Sequence, residues 1–427
     1  MKRIVIILLL LKLSNPLFSE NQVSKEEIDR IRERMEELEN NQNNQKTQSS
    51  DITAAQVTRS IELSDTPQTP EEKHLRTIYD EGFYLVGKDD TIKIGGWAQT
   101  DYRAFIGDHP SKNTFLIRRA RLDIRGVLES DFAYRLYGAF ESTSAKLQEA
   151  WLEYRKFSCA RLRIGQFKEP FSLEALYSAK WIYFVERGLG PTNLAPSEDI
   201  GIQLFGELYG KQIVYAIAVF NGQGKNVIDA DHGKDVAARA TYQPFIGCPD
   251  FWLEGLYIGG SVTAGSVNSS VDSIRYRTAA RTDFLTYAPG VVESGPHYRG
   301  DLEFEWLNGS FEFTSEYLAS HRHKVKNDSV KDTVTSRSWY ISAAYLLTGE
   351  EQPRNRPVVP KHDFDPCKGT WGAWEVGMRY EEFRTNSNPI DVGLVTGAKK
   401  VSAWTGGINW WSGSTAHPAA HGWHQSF

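Results

Sequence analysis

Eight arginines recur at even spacings through one region of the chain: Arg103, then Arg119, Arg121 and Arg125, then Arg135, Arg155, Arg161 and Arg163. In a β-strand a repeat of two keeps side chains on one face, so these guanidiniums would gather on one side of neighbouring strands. A guanidinium stays charged and presents a planar fork of donors that matches carboxylate and phosphate. The chemistry open to such a wall is reversible attraction of anions. Asp101, Asp123, Glu141, Glu149 and Glu153 share the face, and the alternative is a wall of compensating ion pairs.

Other chemistry finds little support. The sequence has no Ser nucleophile elbow, phosphate-cradling glycine loop or zinc-ligand spacing. No nucleophile and base recur at a plausible site, so the expectation is a protein that is not an enzyme and uses no cofactor or metal. His321 and His323 have metal-compatible spacing but sit beside Arg322 and Lys324 in an expected surface loop, and His417, His421 and His424 are similar. Cys159, Cys248 and Cys367 are odd in number and far apart, forming neither a disulfide framework nor a zinc pattern. A net charge of -5 excludes a globally basic nucleic-acid binder, and any anion preference must come from where the positive charges sit.

The elements that would position these groups are strands. From about Thr91 to Trp411, segments of roughly 10 to 15 residues alternate apolar and polar between turn residues, as transmembrane strands do. In the first, Ile92, Ile94, Ala98, Tyr102 and Ala104 oppose Lys93, Gln99, Asp101 and Arg103; in the second, Ala120, Leu122, Ile124 and Leu128 oppose the arginines. Strands of a soluble sandwich average about five or six residues, and its core would not accept charged inner faces. Tight connections are expected at 129–131, 157–159, 208–211, 245–251 and 307–310, and longer ones at 107–113, 166–197, 221–233, 266–295 and 322–335. The connection at 142–145 is short, and 349–370 is long for its side. Trp97, Tyr102, Trp151, Tyr154, Trp374, Trp404, Trp410 and Trp411 are candidates for interfacial girdles, with packing within the wall as the alternative. The fold class is therefore all-β, a transmembrane antiparallel β-barrel of 14–16 strands.

The remaining segments divide as follows. Residues 1–19 have Lys2 and Arg3, an apolar run from Ile4 to Leu11 and then small polar residues, the pattern of a secretory signal peptide. That run is far shorter than the roughly 20 residues a spanning helix needs. In 20–42, Ile28, Ile31, Met35 and Leu38 recur at spacings of three and four, a short coiled-coil helix that would need partners at high local concentration. Residues 43–90 form a polar linker leading to the barrel, 91–411 the barrel and 412–427 an atypical tail.

The run Phe115-Leu116-Ile117-Arg118-Arg119-Ala120-Arg121-Leu122-Asp123-Ile124-Arg125-Gly126, with Leu147-Gln148-Glu149-Ala150-Trp151-Leu152-Glu153-Tyr154 after it, resembles the phosphate-selective porin O and P family. Arg163-Ile164-Gly165-Gln166-Phe167-Lys168-Glu169-Pro170-Phe171-Ser172 is similar to that family's strand leading into a long third loop. Phe220-Asn221-Gly222, Ala238-Arg239, Leu347-Thr348-Gly349-Glu350, Gly372-Ala373-Trp374-Glu375 and Arg379-Tyr380 extend the likeness in consistent order. The resemblance implies a trimeric outer-membrane channel of 16 strands that passes small anions such as phosphate by diffusion. It also implies a third loop folded into the lumen, whose basic candidates here are Lys168, Lys180 and Arg187. The expected partners are outer-membrane lipid, small anionic solutes, two further copies of the chain and the barrel-assembly machinery, with no nucleic acid. A general or sugar-type porin and a structural or adhesive barrel, its outer loops 266–295 and 322–332 binding a surface, are the alternatives.

The end of the chain departs from the family pattern. About fourteen strands are countable up to Trp411, and 412–427 is too short for a closing hairpin. An open barrel would leave backbone groups unpaired in lipid, so three resolutions are open: a degraded C-terminus, a fourteen-strand closure, or an extra hairpin within 274–289. The degraded terminus is the favoured expectation.

Overall fold

The computed structural model describes residues 76–79, 82–106, 112–227, 232–249, 251–271 and 273–413. The signal segment, the coiled-coil segment, most of the 43–90 linker, His417, His421 and His424 lie outside the described residues.

One antiparallel sheet of 16 strands dominates. Two strands of four residues, β1 (Arg76–Tyr79) and β2 (Phe83–Val86), lead in. The wall then runs through β3 (Thr91–Arg103), β4 (Thr114–Leu128), β5 (Phe132–Ala139), β6 (Lys146–Phe157), β7 (Ala160–Lys168), β8 (Glu198–Leu208), β9 (Ile213–Phe220), β10 (Asp235–Tyr242) and β11 (Gly255–Ser270). A small sheet made by β12 (Arg275–Arg277), β13 (Asp283–Tyr287) and β18 (Val395–Gly397) stands apart from the wall. The wall continues through β14 (Val292–Asn308), β15 (Phe311–Lys326), β16 (Lys331–Leu346), β17 (Ala373–Thr385) and β19 (Lys400–Trp411), each strand pairing with its neighbour in this order.

Burial along the strands is inverted relative to a water-soluble protein. Ile117, Leu122, Leu152, Ile164, Ile202, Val262, Leu302, Met378 and Ile408 are exposed, whereas Asp101, Arg119, Glu153, Gln203, Glu303, Glu316, Arg379 and Glu381 are buried. This is the two-sided pattern of a wall with lipid outside and polar groups inside. Among the described residues no helix is long and apolar enough to cross a membrane.

The sheet bends until its two ends face one loop segment. Tyr183 donates its hydroxyl to the Gly407 carbonyl of β19 (2.8 Å), while Glu186, three residues on, pairs with Arg103 and Arg119 of β3 and β4. Three residues of extended chain span at most about 11 Å. β1 and β19 are not paired with each other among the described residues.

Three local expectations are corrected. The hairpin within 274–289 exists as β12 and β13, but its strands of three and five residues pair with each other, and β13 with β18, as a sheet separate from the wall. They are held by an apolar cluster in which Tyr276, Leu285 and Val395 meet Leu318, Val334 and Phe383 of the wall. The loop expected at 322–335 shrinks to 327–330, because β15 and β16 continue to Lys326 and Lys331 and Asn327 Oδ1 accepts from the Ser329 and Val330 amides to close the turn. His321 and His323 therefore stand on a strand rather than in a loop. The connection expected to be tight at 245–251 is longer, since β10 stops at Tyr242 and β11 begins at Gly255.

Candidate pore lining and its inner loop

Residues 169–197 connect β7 to β8 and contain two short helices, α1 (Leu173–Leu176) and α2 (Leu189–Asn193). Their anchors lie on strands far away in sequence. Ser172 caps α1 from the left-handed region (φ 63°) and donates its hydroxyl to Glu316 (2.6 Å). Glu316 also accepts from the Glu174 amide (2.7 Å) and the Tyr340 hydroxyl (3.0 Å). Tyr177 donates to Glu305 (2.6 Å), and the Leu189 amide donates to Glu381 (2.6 Å). The carboxylates of β14, β15 and β17 thus satisfy backbone and hydroxyl donors of the loop, which a buried irregular segment needs. Glu174 and Arg379 pair at 3.2 Å across the same junction.

From this anchorage the loop reaches the arginine-bearing strands. Glu186 accepts from Arg118, from Arg119 (3.1 Å) and from Arg103 (3.1 Å). Burial alone would raise the Glu186 carboxyl, but the Arg118 hydrogen bond and the charges of Arg118 and Arg119 outweigh it and hold the group below the usual carboxylate range. Arg118 and Arg119 are consecutive, yet both reach Glu186. The register explains this: Gln99 pairs with Arg119 and Thr100 with Ile117, so Arg118 is the extra residue of a β-bulge. Arg118 is absent from the sequence-derived arginine set, because a strict repeat of two assigns it to the lipid side. A signal was present, since the outward phase runs through Phe115 and Ile117 and then shifts to Ala120 and Leu122.

The remaining arginines of the set are placed as follows. Arg121 pairs with Glu141, Arg135 with Asp123 (2.8 Å) and Glu149 (3.1 Å), Arg163 with Glu153 (2.7 Å), and Arg161 with Glu207 (3.7 Å). Arg155 lies on the inward side of β6, in phase with Glu149 and Glu153. Arg125 lies beside Lys93 on one side and Arg135 on the other, three cations in one lateral row. Arg125 has no carboxylate within ion-pair distance among the described residues.

In most of these pairs the base stands nearer water than the acid. Arg163 is 17% exposed against 6% for Glu153, Arg135 22% against 9% for Glu149, and Arg354 30% against 1% for Glu305. Arg121 with Glu141 (12% against 21%), Arg119 with Glu186 (5% against 7%) and Arg379 with Glu174 (1% against 12%) run the other way. Guanidiniums also cover the aromatic faces of the lumen, Arg163 lying 4.2 Å from the Trp151 ring centre, Arg135 4.4 Å from Tyr137 and Arg354 3.8 Å from Tyr257. Trp97, Trp151 and Trp411 thus belong to the inner face, where they donate to Tyr137, Glu149 and Glu375. Trp374, Trp404 and Trp410 are exposed on the outer face.

Two of the three basic candidates, Lys168 at the end of β7 and Arg187, hold the loop itself. Lys168 donates to the Ala175, Leu176 and Tyr177 carbonyls at 2.8–3.2 Å, capping α1. Arg187 donates to the Glu174 (2.8 Å) and Tyr177 (2.6 Å) carbonyls, and burial lowers its pKa from the ordinary arginine value. Lys180 lies over the Trp181 ring at 4.5 Å. Among the described residues no group of three or more His, Cys, Asp or Glu is arranged to hold a metal ion.

Residues 92–416 match the family model described as phosphate-selective porin O and P. The chain belongs to that family. It is an outer-membrane porin, a channel rather than an enzyme. Porin O of Pseudomonas aeruginosa is 24% identical over 361 residues, spanning 76% of this porin and 80% of the relative. Similar solved structures include a loop L8 deletion mutant of OmpT, an outer membrane protein of Vibrio cholerae, with 12% identity, a TM-score of 0.47 and coverage of 76% of this porin and 89% of that chain. An anion-selective porin from Comamonas acidovorans has 10% identity, a TM-score of 0.43 and coverage of 75% and 84%.

Proposed function

We propose that this porin passes small anions, phosphate among them, by diffusion past the arginine-lined inner wall and the docked loop 169–197. The observation that carries the reading is the layering of the ion pairs, in most of which the carboxylate lies beneath the guanidinium. A solute in the lumen meets the positive layer first, so the local field is more positive than the net charge of -5 suggests. Anions enter more readily while each contact stays weak enough for release. The family's description as phosphate-selective supports the solute class. A sugar-type porin needs bare aromatic faces in the lumen, and here guanidiniums cover Trp151, Tyr137 and Tyr257. The proposal includes export by the 1–19 signal, insertion by the barrel-assembly machinery and a homotrimer joined through the 20–42 coil, with lipid and anionic solutes as the other partners.

The test is the reversal potential of the protein in a planar bilayer under asymmetric potassium chloride. A shift toward the chloride potential is expected. A shift toward the potassium potential overturns anion preference, and absence of conductance favours a structural or adhesive barrel.

A further inference from the structure

On the outer face of β16, β17 and β19, Arg337 is registered with Arg384, and Arg384 with Lys400. Their direction follows from the alternation: Ile341 and Tyr345 are exposed in phase with Arg337, Met378 with Arg384, and Trp404 and Ile408 with Lys400, whereas Ser336, Ser338 and Glu381 are buried. The side chains of Arg384 and Lys400 are 63% and 52% exposed, and both pair with Glu382 (2.5 and 2.8 Å), whose side chain is 8% exposed. Arg337 has no carboxylate within ion-pair distance among the described residues. One acid therefore serves two of the three bases, and the third is left without one.

The row has a fixed height on the wall. Next toward the middle come Trp339, Tyr380 and Trp404, Tyr380 lying 5.4 Å from Trp339 and 4.7 Å from Trp404. Ile341 is level with Tyr380 and Trp404; below them are Met378, Val376 and Ile408, and then Trp374 and Trp410, which stack at 6.0 Å. Aromatic rows at two levels with apolar residues between them mark the two interfaces of a bilayer. The cations stand beyond the upper aromatic row, at the end of the wall that carries loop 169–197 and the small sheet, the end expected to face outward. Nearby, an open recess is lined by Tyr298, His323, Lys324, Lys331 and Asp332. Bases at headgroup height on a lipid-facing wall match phosphate esters in both charge and geometry.

We infer that Arg337, Arg384 and Lys400, with the neighbouring recess, bind the phosphorylated sugar headgroup of an outer-leaflet glycolipid. The acyl chains would lie along Met378 and Ile408, beneath the aromatic row. The site is on the outside of the wall and separate from the conduction path.

Full-length protein in micelles containing equal amounts of bisphosphorylated lipid A and its dephosphorylated form, with bound lipid counted by native mass spectrometry, tests this. Preferential retention of the bisphosphorylated lipid is expected, and the combined variant Arg337→Gln, Arg384→Gln, Lys400→Gln should reduce that retention on the order of 10- to 100-fold. The charge-preserving variant Arg337→Lys, Arg384→Lys should keep most of it, and the conductance of both variants should match the unaltered protein. Equal retention of the two lipids, retention unchanged in the Gln variant, or complete displacement by inorganic phosphate at equal concentration would overturn the inference. Cross-links from position 337 to a second copy of the chain would overturn it as well, by making the row an interface between copies.

Discussion

Arg118 and Glu186 are joined by two hydrogen bonds, one from Nε to Oε1 and one from Nη2 to Oε2 at 2.9 Å, across 68 positions of sequence. The pair exists because a bulge turns Arg118 inward beside Arg119 and because the carboxylates of β14, β15 and β17 hold the loop that carries Glu186. It ties the arginine wall to the acidic wall through one side chain.

Glu186→Gln removes the negative charge shared by Arg103, Arg118 and Arg119. Losing one member of a buried pair typically costs about 3–5 kcal/mol, so the loop should fluctuate more while three guanidiniums gain access to water. The expected result is a reversal potential closer to the chloride potential, with larger open-channel current noise. Quiet current and unchanged selectivity would mean that Glu186 neither masks the arginines nor holds the loop.

Arg125 separates paired from unpaired charge. Arg119 and Arg121 have carboxylate partners, whereas Arg125 stands between Lys93 and Arg135. Arg125→Ser should therefore account for most of the loss of chloride preference seen when Arg119, Arg121 and Arg125 are all replaced by Ser. Heat-modifiable gel mobility would check that each variant folds. Equal contributions from the three positions would show that pairing does not govern accessibility.

The two-residue repeat made much of the wall legible, and the fourteen strands counted from alternation match the fourteen long strands that remain when β1 and β2 are set aside from the 16. What the repeat could not show is any place where the repeat breaks or where depth matters. Arg118 was lost to a bulge. Leu318, Val334 and Phe383 face inward and are apolar, because the small sheet of β12, β13 and β18 packs on them, a contact that alternation within one strand cannot reveal. The family resemblance makes Lys168 and Arg187 candidate anion ligands of the third loop, but the short helix α1 has carbonyls that need donors, and these two cations supply them. The layering of acid beneath base depends on side-chain conformation across strands and leaves no trace in spacing.

Glu169 opens the loop and is buried, with Oε2 lacking a hydrogen-bond partner. Burial pushes its carboxyl up to about 8, with Asp235 and Asp199 adding to the rise and Arg299 and His297 opposing it. A raised folded-state pKa means the folded protein holds a proton that the unfolded chain releases above about 4.5. Its contribution to stability is therefore full at low pH, declines as pH rises above the unfolded value and is spent once pH passes about 8. Loop docking should be firmer at pH 6 than at pH 9, read as lower current noise. Glu169→Gln, neutral throughout, should lose that pH dependence and stay quiet at pH 9. A variant that keeps the wild-type pH step would assign the step to another group.

Ile341 and Ser342 are neighbours on β16 with opposite surroundings. Ile341 is 42% exposed on the outer face between Ser315 and Tyr380, whereas Ser342 lines an inner cavity with Glu312 and Glu375. If lipid is outside and polar groups are inside, the same new charge must have opposite consequences at these two positions. Ile341→Arg should destabilise the folded barrel by about 1–2 kcal/mol, less than the full midplane cost of a cation because Ile341 is level with Tyr380. Ser342→Arg should be tolerated, because carboxylates are at hand and water reaches the lumen. Denaturant unfolding of both variants in lipid vesicles gives the difference directly. Equal destabilisation, or the reverse order, would place Ile341 and Ser342 on surfaces of like polarity, which a two-sided membrane wall does not allow.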